Sequence, residues 1–581
     1  MPVQPSLPSS KKRKISHIAT IEELENGLTT AVKNSGSLNP LADLTSLVSK
    51  LSEPQELHKG IYALYRIFVL IIDGGKLNGT SEDSEEVKLV RGWLNDRLAE
   101  YSAVLCKCLL HEQKAIRIAA LDILFSILKH LSEAFSKATS QPQIHAVHFR
   151  RLIHGLLLVD SGDAHINKDV REYFVEKWFS VFDDIRWFFF REAGSLLRSE
   201  TAKTNSRLPE NVLSILESLT TMPTDASELN EFWVPSFAQK PPKANGPATT
   251  EAEEEEAEDD WRTFFDEPEA KADSAAPGKG QTQRVYKMST HQCLHSLTSN
   301  RAQFSLCWMA LLSHLSSSAT LSLRALKFLH HGVMPHLNKP VRLMDWIGGC
   351  VDFGGSVGLL ALNALFILIT EYNLDYPNFY TKLYAFLNRD VLHLKHRSRF
   401  FRLAETFLSS SHLPATLLAS FIKRLSRLSL SAPPAAIVMI IPFTYNILKR
   451  HPACMVMIHR DVDDFESDPF DPKEPSPYLT NALSSSLWEL ESHRNHYHAP
   501  IATLAKIFSD AFTKPGYAME DFLDHTYGTL FDTETKRKIK KDPPMAFELK
   551  KNLFPASVEE KETDDEVVTI PTDVVTELWA F

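Results

Sequence analysis

LHKGIYALYRIFVLIID, residues 57–73, repeats its apolar side chains every three or four positions. That spacing places them on one face of an α-helix. Pro54 suits the first turn of such a helix, and Gly74 and Gly75 suit its end. The stretch therefore predicts a buried amphipathic helix. Its core-facing residues are Leu57, Ile61, Leu64, Tyr65, Phe68 and Ile72.

The same periodicity recurs along most of the chain, without intervening strand patterns. Only 21 of the 581 residues are glycine, about half the usual ~7%, which argues against hairpin-rich and nucleotide-binding α/β folds. We predict an all-α, HEAT/armadillo-like helical-repeat solenoid, with separate compact bundles as the alternative. The segments predicted as helices are 57–73, 88–110, 114–135, 144–159, 169–198, 377–388 and 415–430.

Charge and composition divide this solenoid into regions. The net charge is −10, yet residues 251–273 contain twelve acidic side chains against Arg262 and Lys271, and the C-terminal tail is also acidic. Because a segment this polar cannot form a hydrophobic core, its composition predicts a disordered linker. The predicted regions are a disordered basic arm (1–16), an N-terminal helical-repeat region (17–235), a disordered acidic linker (236–283), a C-terminal helical domain (284–531) and a basic then acidic tail (532–581).

Membrane and disulfide-rich classes do not fit this composition. The longest apolar stretches fall short of the ~18–20 residues that span a bilayer, and the N-terminus lacks the apolar core of a secretory signal. The six cysteines are scattered and form no CxxC motif. This pattern predicts a protein of a reducing compartment with no membrane span.

Three motifs that resemble catalytic sites fail in context. GGSVG at 354–358 matches the G-x-S-x-G of hydrolases, but its flanks are predicted helices, not the strand and helix that expose a nucleophilic serine. DFG and HRD strings occur in the reverse of the kinase order, and no phosphate-binding glycine loop is present. The histidines His393, His396, His493, His496 and His498 lack grouped carboxylates. We predict no enzyme activity, cofactor, metal or small-molecule substrate. An enzyme acting through Ser356 is the competing hypothesis.

Basic side chains on two predicted helices form the candidate binding site. Their helical spacing suggests two stripes that merge into one exposed patch, suited to an acidic partner or an RNA backbone. The alternative is a solvated helix face or a set of structural ion pairs. The residues of this predicted basic patch are Lys395, Arg399, Arg402, Lys423, Arg424 and Arg427.

Two further clusters of positive charge are candidate nuclear-localisation signals. One lies in the N-terminal arm and the other near the C-terminus. The residues are Lys11, Lys12, Arg13, Lys14, Lys536, Arg537, Lys538, Lys540 and Lys541.

Residues 340–512 resemble a known family. The strings NLDYPNFYTKLY (373–384), RSRFFRLAETFLSSSHLPA (397–415) and LKRHPAC (448–454), followed by DPFDPKEPSPYLTNALSSSLWELESHRNHYH (468–498), are similar to the CCAAT-binding-factor/nucleolar-complex domain family. These strings are long and nearly contiguous, so they are far more specific than any short motif above.

The resemblance implies a noncatalytic scaffold of the nucleus and nucleolus. Such proteins act in the small-subunit processome of the 90S pre-ribosome, where they pair with nucleolar protein 14 and support 18S rRNA processing and 40S subunit biogenesis. Other processome proteins are implied partners, and backbone contact with pre-ribosomal RNA stays open. A nuclear scaffold acting as a transcription cofactor is the alternative.

Overall fold

The structure is a computed structural model of the 581-residue chain. It describes residues 17–34, 36–77, 85–158, 165–205, 207–219, 222–241, 288–393, 397–459 and 467–538. Within these ranges the regular structure is helical and contains no strand. The all-α prediction is confirmed.

The described residues before 242 form ten α-helices. Their bounds are α1 Ile18–Lys33, α2 Pro40–Lys50, α3 Pro54–Asp73, α4 Glu85–Cys108, α5 Lys114–Thr139, α6 Ala146–Leu157, α7 Lys168–Phe174, α8 Asp183–Arg198, α9 Glu200–Thr204 and α10 Leu208–Leu216.

The helices after residue 287 are shorter on average and are interrupted by 3₁₀ turns. Their bounds are α11 Thr290–Leu294, α12 Leu297–Leu315, α13 Ala319–Phe328, α14 Met344–Asp352, α15 Gly355–Glu371, α16 Phe379–Phe386, α17 Arg389–His393, α18 Arg397–Phe407, α19 Ala415–Ser429, α20 Pro434–Arg450, α21 Trp488–Ser492, α22 Ala499–Ala505, α23 Glu520–Leu523 and α24 Tyr527–Lys536. The predicted domain boundary at 531 therefore falls inside α24, which continues to Lys536.

Helix α3 forms as its sequence predicts. Pro54 occupies the first turn, where its missing N–H costs no hydrogen bond, and the helix ends at Gly74. Its apolar face is buried against α1 and α5. The Tyr101 hydroxyl of α4 donates to the carbonyl oxygen of Ile61 at 2.6 Å. The face chosen by periodicity is thus the face that packs.

The segment predicted as one helix over 169–198 is broken in the structure. Helix α7 runs into a π-helical turn, Val175–Phe179, and α8 begins afresh at Asp183. The Arg186 guanidinium donates to the carbonyl oxygens of Phe179 and Ser180 and pairs with the Asp183 carboxylate at 2.8 Å. The Arg186 guanidinium thus supplies hydrogen bonds to two backbone carbonyl oxygens that the break in the helix leaves without helical N–H partners.

The folded part of the chain extends beyond the expected start of the linker at 236. Phe237 is fully buried. The rings of His295 and His291 bond the carbonyl oxygens of Phe237 and Gln239, at 2.9 and 2.6 Å. Residues 236–241 therefore belong to the folded body, because an aromatic anchor and two hydrogen bonds hold them there. The rest of the predicted linker lies outside the described residues.

The two sides of this linker pack on one another through α8 and α12. The rings of Phe190 and Phe304 meet edge to face with centroids 5.3 Å apart, and the Trp187 indole N–H donates to Ser299 Oγ at 3.1 Å. Arg324 of α13 pairs with Glu217 at 2.9 Å. The N-terminal and C-terminal regions therefore share one continuous core.

His148 of α6 makes the stability of this core depend on pH. The side chain is buried, with Nε2 3.1 Å from the Leu124 carbonyl oxygen. Burial lowers the pKa of His148 from 6.5 to about 4. The unfolded chain therefore binds more protons between those pH values, and up to about 3 kcal/mol of stability is lost as the pH falls from 6.5 to 4.

We expect His148→Gln to flatten this acid-side loss of stability. Urea unfolding followed by circular dichroism at pH 7 and at pH 4.5 measures the slope. A variant whose free energy of unfolding still falls as steeply as that of the parent chain would show that His148 does not carry the proton linkage.

Candidate partner-binding surface

Helix α19 carries three of the residues predicted to form the basic patch. Pro414 precedes its first residue, and Leu417, Phe421 and Leu425 face the core as the sequence predicts. Lys423 lies on the opposite side of the helix, yet its side chain is 0% exposed. The polar side of α19 is covered by the segment 467–492.

Lys423 is the centre of a buried ionic cluster. Its Nζ lies 2.7 Å from Glu489 Oε1, a carboxylate that is also 0% exposed, and 3.1 Å from Asp468 Oδ2. The same ammonium donates to the Ser486 carbonyl oxygen at 2.7 Å. An ammonium buried this deeply must be paired, and these oxygens pair it. The prediction that Lys423 lies on an exposed surface is wrong.

Asp468 completes the cluster from the covering segment. Burial acts to raise the pKa of Asp468, but hydrogen bonds from Ser485, from the Phe470 N–H and from Lys423 outweigh it and hold the pKa below its ordinary value. Arg427 adds a further contact, with Nη1 3.5 Å from Asp468 Oδ2. The carboxylate is thus charged at neutral pH and fastens the segment to α19.

Arg424 and Arg402 also serve internal contacts. Arg424 donates to the Leu387 carbonyl oxygen at 2.7 Å and lies over the Tyr384 ring, 4.4 Å from its centroid. Arg402 forms a two-pronged pair with Glu520, at 2.7 and 2.6 Å. These arginines connect α19 to α16 and α18 to α23.

The structure therefore does not join the six predicted residues into one free basic patch. Four of them have carboxylate or carbonyl partners within the fold, Arg399 is half-buried on α18, and Lys395 lies outside the described residues. A binding role for the residues that keep exposed charge remains a proposal. Within the fold, however, the contacts of the four partnered residues connect elements that are distant in sequence.

The covering segment and the 3₁₀ helix Pro452–Met457 expose apolar side chains that sequence reasoning missed. Leu479 is 66% exposed, and Tyr478, Trp488 and Val456 are 44, 47 and 43% exposed. We call these four residues the C-terminal apolar surface. Tyr478 and Leu479 lie in irregular structure, Val456 lies in a 3₁₀ helix, and Trp488 begins the short helix α21, so no extended helical period marks them. For Tyr478, Leu479 and Trp488, the only signal was the presence of large apolar residues in the Pro/Ser-rich string SPYLTNALSSSLW.

Hydrogen bonds hold the segments of the C-terminal apolar surface against α19. Ser420 Oγ lies 2.5 Å from both the Pro477 carbonyl oxygen and Thr480 Oγ1. The Leu487 N–H donates to the Met457 carbonyl oxygen at 3.1 Å, joining the segment to the 3₁₀ helix Pro452–Met457. An exposed apolar surface held by such hydrogen bonds is typical of protein–protein interfaces.

Two of the candidate histidines, His493 and His496, make hydrogen bonds within the fold. His493 Nε2 lies 2.7 Å from Ser429 Oγ, and burial lowers its pKa to about 4. His496 Nδ1 accepts from the His498 N–H at 3.0 Å. His396 lies outside the described residues. In the part of the chain that is described, no group of three or more His, Cys, Asp or Glu side chains is arranged to hold a metal ion.

Ser356 does not stand on a nucleophile elbow. Helix α14 ends at Asp352, Gly354 and Gly355 adopt left-handed backbone with φ of 65° and 53°, and Ser356 follows in the first turn of α15. The prediction of helical flanks is confirmed. A helix–turn–helix corner does not project the serine as a strand-to-helix elbow does, so the hypothesis of an enzyme acting through Ser356 loses its structural basis.

Part of the C-terminal candidate localisation signal lies within the described residues. Lys536, Arg537 and Lys538 are exposed at the end of α24. Lys540 and Lys541 lie outside the described residues, as does the N-terminal cluster 11–14. Nuclear import through either cluster stays a prediction. Among the described helices, none combines the length and apolar character needed to cross a membrane.

Two family models match this chain. Residues 358–505 match the CBF/Mak21 family. This range contains α19 and the covering segment. Residues 10–203 match a model described as "Nucleolar complex protein 4-like, TPR repeats". The sequence predicted HEAT/armadillo-like repeats; TPR repeats are likewise stacked helix pairs, so the helical-repeat class is confirmed.

Curated relatives match this chain over most of its length or over about half of it. An uncharacterized protein of Schizosaccharomyces pombe is 35% identical over 532 residues, which cover 91% of this chain and 97% of that protein. The nucleolar complex protein 4 homolog of Rattus norvegicus is 29% identical, covering 94% of this chain and 97% of the homolog. Nucleolar complex protein 4 of Saccharomyces cerevisiae is 43% identical over 298 residues, which cover 46% of this chain and 53% of the yeast protein.

Proposed function

Since this chain belongs to the nucleolar complex protein 4 family and is thereby a nucleolar protein of ribosome biogenesis, we propose that it is a noncatalytic scaffold of the small-subunit processome. In this role it forms a stable complex with nucleolar protein 14 and supports 18S rRNA processing and 40S subunit assembly. The proposal is carried by one observation: the C-terminal apolar surface is exposed, although hydrogen bonds hold its segments against the folded body.

The chemistry of this surface favours a protein partner. Leu479, Tyr478 and Trp488 offer apolar area with one indole and one hydroxyl donor, the composition found at the centres of protein interfaces. The adjacent basic side chains Lys423 and Arg427 are directed to Asp468 and Glu489. Their charge is therefore largely neutralised within the fold, which disfavours a phosphate backbone as the main ligand here.

A noncatalytic role agrees with the state of the candidate reactive groups. Ser356 lies in a helical corner, and His493 is bonded to a buried serine. The buried cysteines are raised in pKa by desolvation, to about 11 for Cys454 and about 12 for Cys307. Thiols in that environment stay protonated and are poor nucleophiles.

We expect Leu479→Glu to weaken the complex with nucleolar protein 14 at least tenfold. A charge placed at the centre of an apolar interface must be desolvated without a partner, and about 1.4 kcal/mol already corresponds to tenfold in the dissociation constant. The measurement is titration of the purified partner onto the immobilised full chain. Affinity purification from nuclear extract then reads out 18S precursors and processome proteins.

Leu430→Glu is the matched control, because Leu430 is 47% exposed at the end of α19 and lies outside the C-terminal apolar surface. Both variants should keep the parental melting temperature. Unchanged partner affinity in folded Leu479→Glu would exclude this surface as the docking site. Recovery of chromatin factors without pre-ribosomes would instead support the transcription-cofactor alternative.

A further inference from the structure

A groove of about 490 Å³ runs between α4 and α6 in the N-terminal region. Its floor is built from small and apolar residues of both helices, and a neighbouring valine, Val147, is 54% exposed at its edge. The apolar lining consists of Ala99, Ala103, Cys106, Leu110, Val147, Gly155 and Leu158.

Gly155 allows the two helices to approach this closely. A Cβ atom at this position would collide with the sulfur and Cβ of Cys106 on the facing helix. Because Gly155 of α6 has no side chain and Ala99 and Ala103 of α4 have short ones, small residues line a shallow channel between the two helices. The channel is open to solvent along the exposed residues Ala103 and Val147.

The rim of the groove is basic. Lys107, Arg150, Arg151 and His154 line it, and no carboxylate is among its lining residues in the described part of the chain. Arg150 also pairs with Glu192 of α8, at 2.9 Å. Lys107 and Arg151 are exposed, and neither has an ion-pair partner among the described residues. Here, in contrast to the predicted basic patch on α18 and α19, positive charge faces solvent beside an apolar floor.

We propose that the α4–α6 groove binds an acidic amphipathic helix of another protein. The apolar floor accepts side chains at i, i+3, i+4 and i+7 of such a helix, and the basic rim pairs with carboxylates on its flanks. RNA fits less well, because a phosphate backbone uses the positive charge but leaves the apolar floor uncovered. The inference does not depend on nucleolar protein 14 or on the C-terminal apolar surface.

The test uses the full chain and a synthetic 18-residue helix with leucines on one face and glutamates on the other. Fluorescence anisotropy of the labelled helix measures affinity. We expect binding that weakens at least tenfold in the double variant Lys107→Glu/Arg151→Glu and weakens with added salt. The double variant Lys33→Glu/Lys137→Glu, which reverses two exposed lysines outside the groove, should bind as the parent does.

Two further arms separate the alternatives. Val147→Asp should also weaken binding of the synthetic helix, because it places a charge at the apolar edge of the groove. If the charge reversals weaken binding but Val147→Asp does not, electrostatics alone carry the affinity, as for an RNA ligand, and the proposal is overturned. A poly-uridine strand that outcompetes the glutamate helix, or equal binding of the same helix with lysines for glutamates, would overturn it too.

The chain's own acidic run is the remaining candidate occupant. The measurement is therefore repeated on a chain in which the acidic residues of 251–260 are replaced by serine and glutamine. Similar affinity in both chains supports an external partner. An affinity that rises more than tenfold after the replacement would identify the chain's own segment as the occupant and overturn the assignment to another protein.

Discussion

Replacement of Lys423 by methionine is expected to lower the free energy of unfolding by about 3–5 kcal/mol. The variant keeps the apolar stem but leaves the fully buried Glu489 carboxylate without its cation, 2.7 Å away in the parent chain. A buried charge that loses its partner retains the full cost of desolvation. Urea unfolding followed by circular dichroism measures the loss.

Two variants complete this experiment. Arg402→Met removes an exposed ion pair of the predicted basic patch. Because Arg402 and Glu520 are 53 and 64% exposed, solvent replaces the lost partner and little stability should change. Lys423→Met/Glu489→Leu removes both buried charges and should recover much of the loss. Nearly parental stability of Lys423→Met would show that the cluster is not a structural connection.

Phe304→Ala is expected to cost about 3–5 kcal/mol, because it opens a cavity where α8 and α12 join the two regions. Phe304 is 1% exposed and packs on Phe190 and Trp308. The exposed Phe531, at 68%, provides the matched control Phe531→Ala, which should unfold as the parent does.

The same variant tests how the regions hold together once the linker is cut. The sequence predicts that proteases cleave first between 236 and 283; the contacts of Phe237 move the expected site beyond residue 241. After cleavage at an introduced site near residue 260, the fragments should co-elute in size-exclusion chromatography. The fragments of the Phe304→Ala chain should separate at a lower urea concentration than the fragments of the parent chain. Immediate separation of the parental fragments would contradict the shared core.

The helices could be predicted because their apolar spacing is local information. Residues 54–75 contain the whole signal for α3, including its proline start and glycine end. Lys423 shows where that information ends. Its helical position is opposite Phe421 and Leu425, which correctly predicts the polar side of α19. What buries it is the irregular segment 467–492, and no periodicity in α19 encodes a cover that arrives from a distant part of the chain.

The candidate surfaces were hidden from sequence for the same reason. The resemblance located the domain that contains Leu479, but exposure depends on which side chains the fold leaves uncovered. The α4–α6 groove needs a glycine on one helix to face Cys106 on another. That juxtaposition exists only once the helices have paired.

The joining of α8 to α12 also constrains how the chain can be made. A ribosome completes α8, with Trp187 and Phe190 on its outer face, well before it reaches the residues of α12 that cover them. At 5–20 residues per second, the stretch from Arg198 to Leu315 takes on the order of 6–25 s to synthesise. During that interval the nascent N-terminal region displays an unfinished aromatic face, the kind of surface that chaperones shield on emerging chains.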